Sequence, residues 1–359
     1  MKLLSVFISP SLRVYRYTTR ISLNIKWKRK VGELIKTKEA KKLTKQQVHS
    51  IKQHFYKNYG IRNLDVRWHQ LITASNRLFS LEYVPEDIFY LQIEPKLNNR
   101  ELSYALGDKN LLDKLFPMAK HPKTIFKCIN GFFYVNGELC TKEKAIAYCN
   151  SETEAMFIKP ALGSYGGKNV CKFSMVNGLV SPGDITLEQF LATYGGNFIV
   201  QKAVIQHEAM QALNPTSINT FRLHSYLHDT EVTVLDVSVR MGRKGAHVDN
   251  ASLGGLVCGV QKNGQMNKEG FMANGDKCFA TDSGQLFSTI KLPYLDKIHA
   301  MSQTLHKEVP HFRFISWDFC LDNDGDVVLI EYNIEGQEIL GGQLNNGSVF
   351  APLLDILKT

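Results

Sequence analysis

From residue 124 onwards the chain alternates apolar and polar positions in short runs, which is typical of half-buried strands. The turn pairs Asn130-Gly131 and Asn136-Gly137 separate the first of these runs and predict hairpins over 124–140. The predicted strands span 124–129, 132–135, 156–160, 197–201, 219–227, 231–241, 255–261, 313–321 and 327–333.

Apolar residues at helical spacing predict helices at 33–59, 111–116, 141–150 and 293–308. Gly60 and Pro117 are expected to end the first two. Residues 61–95 show no clear pattern. Because antiparallel strands are interspersed with helices, the sequence predicts an α+β fold rather than a doubly wound sheet.

The segment 317–333 carries the most informative chemistry in the chain. It predicts two strands joined by Asp324-Gly325, a pair typical of tight hairpin turns because such turns require positive φ. A loop of two or four residues places Asp318 directly opposite Glu331 on one face of the ladder. Like charges in that arrangement destabilise a sheet, so a compensating cation is expected.

Asn333 lies two residues after Glu331 and points to the same face of the sheet. Carboxylate and amide oxygens suit Mg²⁺, which typically takes one or two carboxylates together with phosphate oxygens. The interpretation is therefore a magnesium site formed by Asp318, Glu331 and Asn333.

Two alternatives stay open for the hairpin. Four positions of a calcium-binding helix–loop–helix segment are matched, by Asp322, Asp324, Gly325 and Glu331. The first ligand position of that segment falls on Cys320, however, and the flanking residues favour strands. The second alternative is an acidic hairpin that is exposed to solvent and binds no ion.

A glycine-rich loop, 160–168, follows the strand that ends at Lys159. Its glycines allow backbone N–H groups to approach phosphate oxygens, and Lys159 suits phosphate as a point charge. The loop matches neither GxxxxGK[ST] nor GxGxxG, so a P-loop and a dinucleotide-binding fold are not indicated. A glycine-rich hairpin turn without a ligand is the alternative.

Two later strands carry arginines. Alternation puts Asp236 and Arg240 on one face of their strand, and Arg222 lies on the preceding strand. Arginines that project from a sheet into a cleft suit phosphate or carboxylate, whereas a surface salt bridge is the alternative for either one alone. The strand ending at Gln201 leads into a short linker whose backbone groups suit an adenine edge. Glu208, at the end of this linker, suits ribose hydroxyls.

Composition indicates a globular protein in a reducing setting. The 359 residues are enough for two or three cores, and the seven scattered cysteines form no CxxC pair, which favours the cytoplasm. No apolar run reaches the length of a membrane span. The short apolar start, stopped by Pro10, is interpreted as retained.

The net charge of +9 is concentrated in residues 1–45, where thirteen Lys and Arg accompany two Glu. This basic arm is interpreted either as a solvated helix face or as a peripheral contact with an anionic membrane surface. No nucleic-acid-binding motif accompanies the charge, so a nucleic-acid partner is not indicated.

Taken in order, these motifs resemble the ATP-grasp superfamily, in particular its branch associated with sugar transfer and polysaccharide biosynthesis. The resemblance covers about residues 100–355. The residues that carry it are Asp108-Lys109, Lys159-Pro160 with the loop 163–167, the segment 201–208, Asn219-Thr220-x-Arg222, Asp249-Asn250 with Gly254-Gly255, and Asp318 with Glu331-x-Asn333. It implies an α+β ATP-grasp fold, with lobes at 100–200 and 201–359 that grip ATP and a mainly helical amino-terminal extension at 1–99.

The resemblance also implies which residues bind the nucleotide. These are Lys109 and Lys159 for the phosphates, Gly163, Ser164, Gly166 and Gly167 for a closing lid, Gln201 and Val204 for adenine, and Glu208 for the ribose. Many relatives carry an acidic residue where Gln201 stands, so the adenine contact here is an amide.

Mg²⁺ is implied at Asp318, Glu331 and Asn333, and Arg222 and Arg240 are implied to stabilise charge on the transferred phosphoryl group and the acceptor. The reaction implied is carboxylate–amine ligation, in which ATP phosphorylates a carboxylate and an amine then displaces the phosphate. The substrates are expected in sugar, polysaccharide or cell-surface glycan biosynthesis. Two alternatives stay open: an ATP-dependent kinase of a sugar hydroxyl, and a nucleotide-binding protein without turnover.

Overall fold

The computed structural model describes residues 10–163, 167–243, 245 and 254–358, and the chain divides into two compact units. The first unit joins Met1–Leu97 to Asn346–Thr359. The second unit is Asn98–Asn345, and every strand among the described residues belongs to it.

The first unit is helical. Its elements are α1 (Pro10–Lys38), α2 (Lys45–Tyr59), α3 (Arg67–Asn76), α4 (Glu86–Ile88), a π-helical turn (Phe89–Ile93), α5 (Glu94–Leu97) and a 3₁₀ segment (Ala351–Leu357). The helix predicted at 33–59 is divided between α1 and α2. A capping box of Thr44 and Gln47 starts α2, since each side chain accepts a hydrogen bond from the other residue's backbone N–H. Gly60, at φ 69°, ends α2 as predicted.

Aromatic packing holds the described part of α1 in the first unit. Trp27 stacks on Tyr90 at a centroid distance of 4.5 Å, and Val31 is fully buried. Lys26, Lys28 and Arg29 are exposed on the same helix. Across the residues that the structure describes, no helix combines the length and the apolar character needed to cross a membrane.

The first sheet of the second unit has the order β3-β2-β1-β7-β4-β5-β6, and every neighbouring pair is antiparallel. Its strands are β1 (Thr124–Ile129), β2 (Phe132–Val135), β3 (Glu138–Cys140), β4 (Met156–Pro160), β5 (Cys171–Val176), β6 (Leu179–Ser181) and β7 (Phe198–Lys202). The predicted hairpins over 124–140 are confirmed.

The second sheet has the order β12-β11-β10-β9-β8-β13-β14 and is also antiparallel throughout. Its strands are β8 (Thr220–His228), β9 (Glu231–Met241), β10 (Leu256–Val260), β11 (Met266–Met272), β12 (Lys277–Cys278), β13 (Phe314–Leu321) and β14 (Val327–Asn333). Its largest buried side chains include Phe221, Phe287, Phe312 and Trp317.

The described residues of the second unit also form seven helices. They are α6 (Arg100–Leu106), α7 (Leu112–Leu115), α8 (Lys142–Asn150), α9 (Leu187–Ala192), α10 (Glu208–Gln211), α11 (Leu295–His306) and α12 (Leu340–Asn346), with 3₁₀ turns at Lys109–Leu111 and Phe287–Thr289. The helices predicted at 111–116, 141–150 and 293–308 correspond to α7, α8 and α11. The α+β prediction is confirmed.

The turn between β13 and β14 differs from the predicted two-residue loop. The backbone N–H of Asp322 donates to the carbonyl of Asp326 at 3.1 Å, so three residues lie between the paired positions. Gly325 supplies the positive φ of the turn, at 78°. Since β13 and β14 are both strands, the structure excludes the calcium-binding helix–loop–helix alternative.

A bulge on β14 restores the predicted register further along the hairpin. Phe319 pairs with Leu329, but Asp318 pairs with Glu331, so Ile330 is the extra residue. The longer turn and the bulge each shift the pairing by one residue in opposite directions. The predicted opposition of Asp318 and Glu331 is therefore confirmed, although the turn was predicted incorrectly.

Two glycines with the same backbone conformation test how tightly the β10–β11 hairpin is packed. Gly264 (φ +87°) and Gly284 (φ +88°) both have positive φ. At Gly264 an added Cβ would lie 2.3 Å from the Leu292 carbonyl oxygen, whereas at Gly284 it would meet nothing within 4 Å. We expect Gly284→Ala to cost about 1 kcal/mol in the free energy of unfolding, from φ strain alone. Gly264→Ala is expected to cost a further 1–3 kcal/mol or so from overpacking. Urea unfolding measures the free energy of unfolding of both variants. Equal losses in the two would contradict the close contact between Gly264 and the Leu292 carbonyl.

Candidate functional site

A cavity of about 340 Å³ lies in the second unit, with walls from both sheets. All predicted site residues that the structure describes line it, with the exception of Glu208. They are Lys109, Lys159, Gly163, Gly167, Gln201, Val204, Arg222, Arg240, Asp318, Glu331 and Asn333. Ser164 and Gly166 lie outside the described residues, as do Asp249 and Asn250.

Asp318 lies at the base of this cavity between two arginines. Its side chain is only 5% exposed, and it accepts hydrogen bonds from Arg222 Nε at 2.6 Å and Arg222 Nη2 at 2.7 Å. Arg240 Nη1 lies 3.3 Å from Asp318 Oδ2. The fork of Arg222 matches the carboxylate in a bidentate pair, which fixes the direction of both side chains.

The register of the sheet explains why these three residues meet. Asp318 on β13 is directly opposite Arg222 on β8, and Arg240 on β9 is opposite Thr220, which lies two residues before Arg222 on the same face of the sheet. Burial raises the pKa of Asp318, but the positive charges of Arg222 and Arg240 and the hydrogen bonds outweigh burial, so the pKa lies below its usual value. Asp318 is therefore an anion at neutral pH.

Glu331 has its own cation. Lys109 Nζ lies 2.8 Å from Glu331 Oε1, and the side chains of both residues are partly buried. The repulsion expected between Asp318 and Glu331 is thus compensated by protein side chains, two arginines on one carboxylate and a lysine on the other. The repulsion alone does not require a metal ion, and the metal prediction depends on the donor set instead.

The donor set fits Mg²⁺ bound together with phosphates. Asn333 lies beside the two carboxylates, with Nδ2 at 3.4 Å from Asp318 Oδ2. Among the residues that the structure describes, no group of three or more His, Cys, Asp and Glu surrounds a common metal position. Two carboxylates and an amide are too few for an all-protein cage, but they match Mg²⁺, which completes its shell with phosphate oxygens and water.

Lys159 lies near the end of β4, where the strand enters the glycine-rich loop. Its Nζ donates to Gln201 Oε1 at 3.3 Å, and both residues line the cavity. Gly163 has φ +68°, and an added Cβ there meets nothing within 4 Å. The backbone at Gly163 is therefore in the left-handed region, which favours glycine, and the space beside this residue is open.

The residues predicted to contact adenine line the same cavity as a group of apolar side chains. Gln201 is 7% exposed and donates through Nε2 to the Pro122 carbonyl at 3.4 Å. Phe157, Ile218 and Ile330 line the same cavity and were not identified from the sequence. Phe157 has a sequence signal, because it lies two positions before Lys159 on the same strand. Ile330 has none, because only the bulge makes it line the cavity beside Glu331.

Glu208 is not part of this set. It is exposed at the start of the one-turn helix α10 and does not line the cavity. The linker before it is tied to the β13–β14 turn, since the N–H of His207 donates to the Leu321 carbonyl at 3.0 Å and the N–H of Asn323 to the Ile205 carbonyl at 2.9 Å. The ribose assignment of Glu208 stays a prediction without a contact to support it.

A buried pair lies behind the arginines. His224 Nδ1 is 2.6 Å from Asp236 Oδ1, and His224 Nε2 is 3.2 Å from the Gln337 carbonyl. Both ring nitrogens of His224 are thus engaged within the protein, one by the Asp236 carboxylate and the other by the Gln337 carbonyl. This network fixes the backbone beside Glu338, which lines the cavity.

The energetic weight of Asp318 is testable by removing its charge. Asp318→Asn leaves two partly buried arginines without their carboxylate, so we expect a loss of about 3–5 kcal/mol in the free energy of unfolding at pH 7. Because the pKa of Asp318 is lowered by folding, its contribution is present above the unfolded pKa of about 4 and is lost as pH falls through the lower folded value. The difference from wild type should therefore shrink at pH 3.

Urea unfolding at the two pH values measures this loss. The matched control is Asp326→Asn, whose side chain is 56% exposed and pairs with Lys120 at 2.9 Å. The control is expected to cost less than about 1 kcal/mol. Equal stabilities of Asp318→Asn and wild type at pH 7 would contradict the assignment.

Solved structures with partial similarity include three ligases or synthetases. The VanG D-Ala:D-Ser ligase from Enterococcus faecalis is 15% identical, with 70% of this chain and 60% of that chain covered and a TM-score of 0.40. D-cycloserine synthetase DcsG is 14% identical, with 73% and 74% covered and a TM-score of 0.44. The ATP-grasp ligase PsnB, complexed with a phosphomimetic variant of its minimal precursor, Mg and ADP, is 13% identical, with 73% and 61% covered and a TM-score of 0.42.

This chain therefore spans 60% of the length of the VanG chain. No curated protein matches it at a significant level of sequence similarity. The family model of the sugar-transfer associated ATP-grasp proteins matches residues 89–358, which is well over half of the chain. The chain belongs to the sugar-transfer associated ATP-grasp family.

Proposed function

We propose that this protein is an ATP- and Mg²⁺-dependent carboxylate–amine ligase that works through an acyl phosphate. The observation that carries the proposal is the convergence of Lys109, Lys159, Arg222, Asp318 and Glu331 on one cavity, although they come from five separate segments of the chain. Cations and carboxylates that converge in this way match the needs of phosphoryl transfer, which depends mainly on positioning and electrostatic stabilisation.

The nucleotide would lie with its phosphates between the lysines and its base against the apolar wall. Lys159 and Lys109 supply positive charge for the phosphates, and the glycine-rich loop supplies backbone N–H groups. Phe157, Ile218 and Ile330 offer a surface for the adenine ring, and the chain near Val204 offers backbone groups for its polar edge. In this arrangement Lys109 exchanges part of its contact with Glu331 for a phosphate.

Glu331, Asn333 and Asp318 would hold Mg²⁺, which when bound neutralises phosphate charge and orients the phosphates. Glu331 is the strongest candidate because its side chain is 33% exposed to the cavity, whereas that of Asp318 is 5% exposed. Asp318 acts chiefly by holding Arg222 and Arg240 in place.

The two chemical steps follow from the cavity's charges. A substrate carboxylate oxygen attacks the γ-phosphorus, the bond to the bridging oxygen breaks, and ADP leaves with an acyl phosphate formed. An amine nitrogen then attacks the acyl carbon, phosphate departs, and the nitrogen loses a proton. Arg222 and Arg240 stabilise the negative charge in both steps, because their guanidinium groups are fixed by Asp318 before the substrate arrives.

The acceptor belongs to a sugar or polysaccharide pathway in this proposal, which rests on the description of the family. A kinase of a sugar hydroxyl is the second candidate, and the product of turnover distinguishes the two.

Nucleotide binding is tested with a non-hydrolysable ATP analogue. We expect it to raise the melting temperature, with a larger shift when Mg²⁺ is present, since a ligand that binds only the folded state stabilises it. Lys159→Ala should lose most of this shift, because a phosphate contact is removed from a partly buried site. The matched control is Lys291→Ala, an exposed lysine that does not line the cavity. A full shift in Lys159→Ala would contradict the phosphate assignment.

Turnover is tested with hydroxylamine as the trapping amine. Wild type with ATP, Mg²⁺ and a suitable acid should form a hydroxamate together with ADP and phosphate. Glu331→Gln should lower this rate by at least about 100-fold, since an essential charge near the metal is lost. The control is Glu308→Gln, at an exposed position outside the cavity. A phosphorylated product without free phosphate would favour the kinase, and wild-type turnover of Glu331→Gln would refute the metal site.

A further inference from the structure

The surface of the helical first unit is strongly basic. Over residues 21–97, twelve Lys and Arg are exposed to solvent. The exposed acidic residues in this range are Glu33, Glu39 and Glu82. Residues 1–20 contain four further Lys and Arg and no Asp or Glu, so they bring no negative charge. In the carboxyl-terminal segment of the unit, Asp355 and Lys358 pair with each other.

The other acidic residues of this unit are turned away from solvent. Three of them are buried: Glu86, Asp87 and Glu94. Glu86 Oε2 lies 3.8 Å from Lys30 Nζ. Asp65 is only partly exposed and accepts a hydrogen bond from Arg67 Nη2 at 2.6 Å, and Lys28 adds a weaker electrostatic interaction with it. The negative charges of the unit are therefore mostly inside it, and the positive charges are mostly outside.

Helix α1 carries exposed apolar residues beside this positive charge. Ile21 is 44% exposed and Ile25 is 62% exposed. Together with Arg29 they recur every four residues, so the three side chains form one row along the helix. Lys26 and Lys28 are exposed on either side of the row. These five residues make up what is called here the outer face of α1.

The cations of the outer face have weak partners. Arg29 Nε lies 2.7 Å from Glu33 Oε1, but the two side chains are 80% and 62% exposed. An exposed pair of this kind contributes little, because water and salt screen it. Lys26 Nζ lies 5.5 Å from the centroid of the Trp27 ring, a contact that is also weak at an exposed site. These charged groups therefore stay accessible to an anionic surface.

The combination of charge and apolar surface decides between two classes of polyanion. The headgroup layer of an anionic bilayer attracts Lys and Arg, and the acyl boundary beneath it takes up apolar side chains from the same helix face. A nucleic acid matches the cations through its phosphates, but it leaves the isoleucines in water. The row formed by Ile21 and Ile25 therefore favours the bilayer.

We propose that the outer face of α1 binds the surface of an anionic lipid bilayer. Lys26, Lys28 and Arg29 contact the headgroup phosphates, and Ile21 and Ile25 enter the interfacial layer. The contact is peripheral and reversible, because two isoleucines bury little apolar area. It is independent of the proposed function, since none of these residues lines the cavity.

The test measures how the full chain partitions onto lipid vesicles, by sedimentation. One set of vesicles is phosphatidylcholine alone, and the other contains about one third phosphatidylserine, which supplies the negative charge. Wild type should bind the anionic vesicles at least about tenfold more strongly than the neutral ones. Raising the salt from about 0.1 M to about 1 M should remove most of this difference, because it shortens the screening length about threefold.

Two variants separate the charged part of the outer face from its apolar part. The double variant Lys26→Ala/Lys28→Ala should weaken binding to the anionic vesicles about tenfold or more. Ile25→Ser leaves the net charge unchanged and should weaken the same binding about fivefold, because the apolar contact is lost. The matched control is Lys262→Ala/Lys268→Ala, which removes two exposed lysines from the β10–β11 hairpin. The control should stay within about twofold of wild type.

Three outcomes would overturn the inference. The first is equal binding of wild type to neutral and anionic vesicles, and the second is an equal loss in the lysine pair and in its control. The third is wild-type binding by Ile25→Ser, which would assign the face to polyanions in general, nucleic acid included. Because the replaced side chains are exposed, each variant should keep the wild-type melting temperature without vesicles, and the wild-type comparison stands whether or not a variant folds.

Discussion

The buried charge of Asp318 is the constraint on which the rest of the site depends. A carboxylate whose side chain is only 5% exposed is stable only beside cations, and Arg222 and Arg240 supply them from two neighbouring strands. The pairing holds the two guanidinium groups rigidly at the floor of the cavity. Arginines that are fixed in this way need little rearrangement when a further anion arrives, and such preorganisation is what electrostatic catalysis requires.

The same sheet carries a second carboxylate at a distance set by the ladder. Glu331 is opposite Asp318 and is balanced by Lys109, which comes from a 3₁₀ turn well before either sheet begins. The cavity is thus lined by charged pairs rather than by isolated charges. In the proposed function, phosphates and Mg²⁺ replace one partner of each pair when they bind, so no charge is left without a counter-charge. The ATP-grasp fold, with its two sheets, supplies the opposing walls that this exchange needs.

Much of this arrangement was predictable from local patterns. The turn pair Asn130-Gly131 separates two strands that the sequence places correctly, β1 and β2, and Asn136-Gly137 marks the turn before β3. Alternation places Arg240 and Asp236 on one face. The strands β5 (Cys171–Val176) and β11 (Met266–Met272) are absent from the predicted set although an Asn-Gly pair adjoins each of them, at 177–178 and 263–264. In β11 the polar run 267–269 interrupts the alternation.

The sequence could not reveal features that depend on tertiary contacts. The opposition of Asp318 and Glu331 was predicted through a two-residue turn, whereas the structure reaches it through a longer turn and a bulge at Ile330. Repulsion between the carboxylates was taken to imply a metal, because the compensating Arg222 and Lys109 are distant along the chain. Glu208 was assigned to the ribose from its spacing to Gln201, but hydrogen bonds between the linker and the β13–β14 turn leave it outside the cavity.

The central claim is that the lysines and the Asp318–Glu331 layer are two sides of one nucleotide–metal site. The most direct measurement is a crystal structure of the protein soaked with Mn²⁺ and the non-hydrolysable ATP analogue, with anomalous scattering used to locate the metal. The account predicts a manganese peak within coordination distance of Glu331 and Asn333, and phosphates beside Lys109 and Lys159. A nucleotide bound elsewhere, or a metal peak away from β14 with the cavity unchanged, would contradict it.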